Sequence, residues 1–211
     1  MNINLPKKIP IFPLSNVIFF PKTILPLNIF EKRYIQLVND CIKSNRLFGM
    51  IQPKEKGNPK PKIYNVGCLG KIVNFSETND KRYIINLSGV CRFKIKEELA
   101  TEKLYREFNV DYSDFETDLN RDSIKKNEYD VNDILKKLKI LFKKRNYLID
   151  WPQLEELKFE ELVNTICMIS PFSLIEKQKL IEAIKMENKL KALDEIINFN
   201  LLDSLENNTV Q

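Results

Sequence analysis

Chemistry in a polypeptide needs particular side chains at particular spacings, and few such sets occur in this chain. Residues 65–72 (NVGCLGKI) come nearest to a phosphate-binding loop. Such a loop needs G-x-x-x-x-G-K-[ST]: glycines let backbone amides wrap the phosphates, the lysine neutralises charge and the hydroxyl holds magnesium. Here Asn65 replaces the first glycine, Ile72 replaces the hydroxyl, and the surrounding residues read as strand, so no nucleotide site is expected. The chain has no histidine, which excludes a Ser-His-Asp or Cys-His apparatus. No particular serine and lysine are singled out as a dyad. The adjacent acids Glu97-Glu98, Glu155-Glu156 and Glu160-Glu161 read as solvated faces, because neighbouring helical residues point about 100° apart and cannot grip one substrate together. Cys41, Cys68, Cys91 and Cys167 are scattered, form no C-x-x-C pair and sit among apolar neighbours. They read as buried, reduced thiols rather than zinc ligands. The expectation is a non-enzymatic protein with neither cofactor nor metal.

Two groups of residues could instead bind something. Ile18, Phe19 and Phe20 are consecutive large apolar residues ahead of Pro21. In an alternating strand they cannot all face inward, so at least one is expected at the surface. A ridge of Phe19, Phe20 and Pro21 rimmed by Lys22 would suit unfolded or extended polypeptide, either as an apolar patch or by strand addition at a proline-rich edge. The aromatics of this region, Phe12, Phe19, Phe20, Phe30, Tyr34 and Phe48, read first as barrel core, and the ridge is the alternative in which a few of them reach the surface. The second group is the basic loop at residues 54–62 (KEKGNPKPK), with Lys54, Lys56, Lys60 and Lys62, joined by Lys81 and Arg82. It carries the alternative of RNA binding, although Tyr64 is its one aromatic for base stacking. Net charge is +5, with the basic excess in residues 1–122 and near balance beyond. The charges are interspersed, as on an ordinary solvated surface.

The elements that must position these residues fall into two halves. Up to about residue 112 the pattern is that of short strands. Pro10, Pro13, Pro21 and Pro26 break the first apolar runs into edge strands, and a helix follows from about 30 to 44. Residues 47–51, 66–75, 82–90, 90–96 and 107–112 supply further strands, with Gly67, Gly70 and Gly89 marking bulges or tight corners. Many short strands at such spacing indicate a small, closed or partly closed β-barrel. After an acidic, polar stretch the period becomes helical. One helix carries Leu135, Leu138 and Phe142, a second runs from Leu154 to Ile169, a third opens at Ser173 with Glu176 at capping-box spacing, and a last carries Leu190, Leu193 and Ile197. The expected division is a barrel over 1–115, a linker at 116–127, a helical bundle over 128–205 and a frayed tail at 206–211. An exposed Leu201 or Leu205 would dock a protease partner or a second copy of the chain. No apolar run approaches the ~18 residues that span a bilayer, and the first residues lack a secretory pattern. These features place the protein in the cytoplasm, away from membranes.

The order of residues in the first fifty positions resembles the amino-terminal, substrate-recognition domain of Lon proteases. The matching residues are Phe12-Pro13-Leu14, Phe20-Pro21, Leu25-Pro26-Leu27, Ile29-Phe30-Glu31, Arg33-Tyr34 and Phe48-Gly49-Met50. The strands around Val66-Gly67-Cys68 and Gly89 to Phe93, and Ser170-Pro171 with Glu176-Lys177-Gln178, extend the resemblance over nearly the whole chain. It implies an α+β fold, a PUA-like small β-barrel followed by a C-terminal α-helical bundle. It also implies a module that binds unfolded polypeptide and acts as an adaptor to a separate ATP-dependent protease. The ATPase and protease modules of complete Lon enzymes have no counterpart in these residues.

Overall fold

The structure, a computed structural model, describes residues 5–55, 60–120 and 131–206, with side chains to residue 202. The chain divides into two compact units, residues 1–121 and 122–211. The first contains β1 (Lys8–Pro13), β2 (Ile24–Ile29), α1 (Lys32–Ile42), β3 (Leu47–Ile51), β4 (Val66–Glu77), β5 (Tyr83–Leu99), β6 (Arg106–Asp111) and a 3-10 turn at Ser113–Leu119. The strand order is β2-β5-β4-β3-β1-β6, and β6 also pairs with β5. Five strands therefore close into a ring, with β2 appended to it. The seventeen-residue β5 makes this closure. Its first part pairs with β2 and its last part with β6, while β4 runs along most of its length. The register slips where Leu69 faces Cys91 but Gly70 faces Gly89, and again between Ile95 and Glu97. Each slip leaves one extra residue on β5, a bulge of the kind that bends and twists a strand, and the first lies between its β2-paired and β6-paired parts. Ile9, Ile11, Ile51, Leu69, Phe93, Phe108 and Val110 fill the interior. α1 turns Tyr34, Leu37, Val38 and Cys41 inward, the spacing of a single helical stripe, and Tyr34 meets Phe12 with ring centroids 3.8 Å apart.

The prolines behave differently from expectation in two places. β1 is not an edge strand, since β3 and β6 lie on either side of it. The two pairings are staggered: residues 8–11 pair with β6 and residues 11–13 with β3. Pro10 thus needs a partner only towards β6 and Pro13 only towards β3, which is how a strand between two others tolerates both. The second difference concerns Phe19, Phe20 and Pro21. Ile18, Phe19 and Phe20 are 5%, 2% and 0% exposed, and Pro21 is buried as well. The expected outward residue is absent because residues 17–20 form no strand, so alternation does not apply. The segment ends in a tight turn, with Lys22 at φ 59°, pinned to β5. The Lys22 N–H donates to the Gly89 carbonyl and the Gly89 N–H to the Thr23 carbonyl, both at 2.9 Å. A Cβ at Gly89 would lie 2.1 Å from the Phe20 carbonyl oxygen, so only glycine permits this approach.

The acidic stretch after β6 begins as structure rather than as linker. Phe115 is fully buried. Asp118 accepts from the Arg92 backbone N–H and Nε at 2.9 Å and pairs with its terminal nitrogen at 2.8 Å. Residues 113–119 are thereby part of the barrel unit. The remainder of the expected linker, 121–127, lies outside the described residues, as do residues 207–211 of the tail and the side chain of Leu205.

The second unit contains α2 (Asn132–Lys144), α3 (Trp151–Glu155), α4 (Phe159–Ile169), α5 (Leu174–Glu182) and α6 (Met186–Glu206). The stretch from Leu154 to Ile169, expected as one helix, breaks after Glu155. Residues two apart on a helix point about 200° away from each other, so an unbroken helix could not bring both half-buried Leu157 and buried Phe159 inward. The break permits it. The capping box forms as the spacing indicated: the Glu176 N–H donates to Ser173 Oγ and the Ser173 N–H to the Glu176 carboxylate. Leu138, Leu141, Phe142, Leu162, Ile166, Leu180, Leu193 and Ile197 are buried. No helix among the described residues is long and apolar enough to cross a membrane.

Candidate functional site

A cleft of about 400 Å³ opens in the barrel unit between the first turn of α1, β1 and residues 100–105, which join β5 to β6. The joining residues are held to α1. The Leu104 N–H donates to Gln36 Oε1 at 2.9 Å, and the Tyr105 hydroxyl donates to Asp40 at 2.7 Å. Lys103 pairs with Glu107 at 3.2 Å. These ties leave the Leu104 side chain 63% exposed at the mouth. Ile11, Pro13, Tyr34 and Leu99 form an apolar floor. The rim is charged. Arg106 grips Glu98 through two nitrogens at 3.0 and 2.9 Å and donates to the Pro61 carbonyl at 2.8 Å. Lys60 reaches Glu98 at 3.1 Å. Arg33 pairs with Glu31 at 2.8 Å and lies over the Tyr34 ring at 4.5 Å.

Glu98 and Lys103 are each shifted further from neutral pH. Hydrogen bonds from Arg106 and then Lys60 hold Glu98 below its usual range. The hydrogen bond with Tyr105, together with that of Glu107, pushes Lys103 up. Burial raises the Tyr34 and Tyr105 hydroxyls to about 12. The arrangement presents an apolar trough bordered by charged side chains, the general form of a ligand-binding cleft.

The residues singled out from sequence are distributed unevenly around this cleft. Lys60 lines it. Lys54 and Lys62 are exposed but do not line it, and the Lys54 ammonium sits 5.4 Å from the Tyr64 ring. Lys56 lies outside the described residues. Phe19, Phe20 and Pro21 are packed into the interior and offer no ridge to a ligand. The cleft residues missed from sequence include Tyr34, Glu98, Leu104 and Arg106. Arg33 and Tyr34 did carry a signal, as part of the Glu31-to-Tyr34 motif, and Leu104 stands out as an apolar residue in a charged turn. Strand addition would fall on β2, whose outer edge has no strand partner among the described residues. The Gly89-to-Thr23 hydrogen bond sets the alternation along this pair, so residues 25, 27 and 29 bond to β5 while 24, 26 and 28 face outward. Pro26 therefore removes the central donor of the free edge.

The barrel-then-helices arrangement has been seen before. A Lon N-terminal domain protein from Xanthomonas campestris superposes with a TM-score of 0.62 at 18% identity, covering 91% of this chain and 98% of that one. The N-terminal domain of Mycobacterium avium complex Lon protease gives 0.66 at 14% identity, with the same coverages. The fold is thus α+β, a PUA-like barrel followed by helices. The chain belongs to the family described as the ATP-dependent protease La (LON) substrate-binding domain, whose family model matches residues 8–198. Among sequences it is similar to Lon protease of Anaeromyxobacter dehalogenans, 23% identical over 92% of this chain and 23% of that protein. It is also similar to Lon protease 2 of Myxococcus xanthus, 24% identical over 92% of this chain and 24% of that protein. The chain spans about a quarter of the length of these curated relatives.

Proposed function

We propose that this chain is a non-enzymatic polypeptide-recognition module that holds extended, apolar segments of unfolded proteins and presents them to an ATP-dependent protease in the cytoplasm. The observation that carries the reading is the cleft beside α1, with an apolar floor, an exposed Leu104 at its mouth and a rim of paired charges, in a member of a substrate-binding family. Its volume admits one or two side chains, so affinity for a single segment is weak and rises with the number of segments engaged.

The test is binding of fluorescein-labelled, reduced and unfolded lactalbumin, followed by anisotropy. Leu104→Arg changes an exposed residue and is expected to leave folding intact while weakening binding at least about tenfold, the loss of an apolar anchor. Retention of full affinity by the folded variant would refute the cleft. The adaptor role is read separately, as faster breakdown of the same tracer by a purified ATP-dependent protease when the chain is added. No acceleration with the parent chain would remove the adaptor role and leave the binding reading standing.

A further inference from the structure

More cations than carboxylates line the cleft itself, and two of those cations, Arg33 and Lys103, are paired with acids outside the lining. Arg33, Lys60, Lys103 and Arg106 face one lining carboxylate, Glu98. The acids that pair with the other cations, Glu31, Asp40 and Glu107, do not line it, nor does Glu102 on the same turn. Glu98 is already gripped twice by Arg106, so Lys60 can turn to another carboxylate without leaving Glu98 unsatisfied. The Lys60 side chain is 69% exposed, and such a group sheds little hydration when it changes partner. An apolar side chain seated against Leu104 and Tyr34 would also exclude water from the rim, strengthening attraction there.

We propose that the cleft selects segments in which an apolar anchor residue is flanked by aspartate or glutamate, and disfavours the same anchor flanked by lysine or arginine. This rests on the reading of the cleft as a polypeptide site and gives that site its substrate class. Charge complementarity supplies the selectivity and the apolar floor supplies the seat.

The experiment uses the full chain and three fluorescein-labelled peptides, each with a central phenylalanine flanked on both sides by aspartates, by serines or by lysines. At low ionic strength the aspartate peptide is expected to bind about tenfold more tightly than the lysine peptide, the sum of a few exposed charge pairs. Raising sodium chloride to about 0.5 M should bring the two within about twofold. Lys60→Glu should narrow the low-salt ratio at least about threefold, and the salt series on the parent chain decides between the outcomes if that variant misfolds. Equal binding of all three peptides, or a ratio indifferent to salt, overturns the selectivity while leaving the cleft as a polypeptide site. Binding of none overturns both. Displacement of the aspartate peptide by single-stranded RNA at lower concentration than by its own unlabelled form would assign the rim to nucleic acid and overturn the proposal.

Discussion

Asp118→Ala tests whether the 3-10 turn after β6 is part of the barrel. The Arg92 and Asp118 side chains are 3% and 9% exposed, and the carboxylate accepts three hydrogen bonds from Arg92. The guanidinium also lies 4.5 Å from the Phe115 ring. Removing the carboxylate leaves a buried cation and a buried backbone N–H without that acceptor. Breaking a buried pair from one side costs about 3–5 kcal/mol. At 1.4 kcal/mol per decade, the opening equilibrium of the barrel shifts by roughly two to three and a half decades. Native-state hydrogen exchange with mass spectrometry reads this directly, as faster exchange of β4, β5 and β6 amides. The double variant Arg92→Met with Asp118→Leu removes both charges and should recover most of the lost protection. A single variant that loses less than about tenfold in protection would show that the turn is an appendage and refute its place in the barrel.

Three other outcomes are expected. Gly89→Ala places a methyl against the Phe20 carbonyl oxygen and should cost about 3 kcal/mol or more, read as a lower urea midpoint. Pro26→Val restores a donor at the centre of the free β2 edge and should produce concentration-dependent self-association by light scattering, because nothing else on that strand carries charge. Burial pushes the thiols of Cys41 and Cys91 up to about 12 and that of Cys68 well above its ordinary 9.0. These thiols should resist iodoacetamide at pH 8 in the folded protein. The stability linked to them is full below pH 9 and is lost as pH climbs towards 12, visible as a falling thermal midpoint.

Features governed by local rules were legible in the sequence. β3 spans the expected residues 47–51, the capping box at Ser173 forms as its spacing requires, and Gly70 and Gly89 sit at a bulge. What escaped depends on non-local partners. The proline rule placed β1 at an edge because a one-strand view cannot see that its two neighbours pair with different stretches of it. The alternation rule exposed part of Ile18 to Phe20 because it presumes a strand, and Gly89, far along the chain, folds those residues into a turn instead. Asp118 read as linker because its partner Arg92 is distant in sequence. The cleft drew Tyr34 from α1, Leu104 from a turn and Lys60 from a loop, so no single window of sequence contained it. The family was legible from the motifs, and the cleft was not.

Closure of the ring by β1 and β6 has a consequence during synthesis. Ile11 must find Arg106, so a nascent chain cannot complete its barrel until β6 has left the ribosome. At about 5–20 residues per second, this interval lasts roughly five to twenty seconds. Throughout it Ile9, Ile11 and Phe12, buried in the finished protein, lack their last neighbour strand. Pairing across so long a stretch of chain is intrinsically slow. The chain thus begins its existence with apolar strands of the kind that a chaperone would hold.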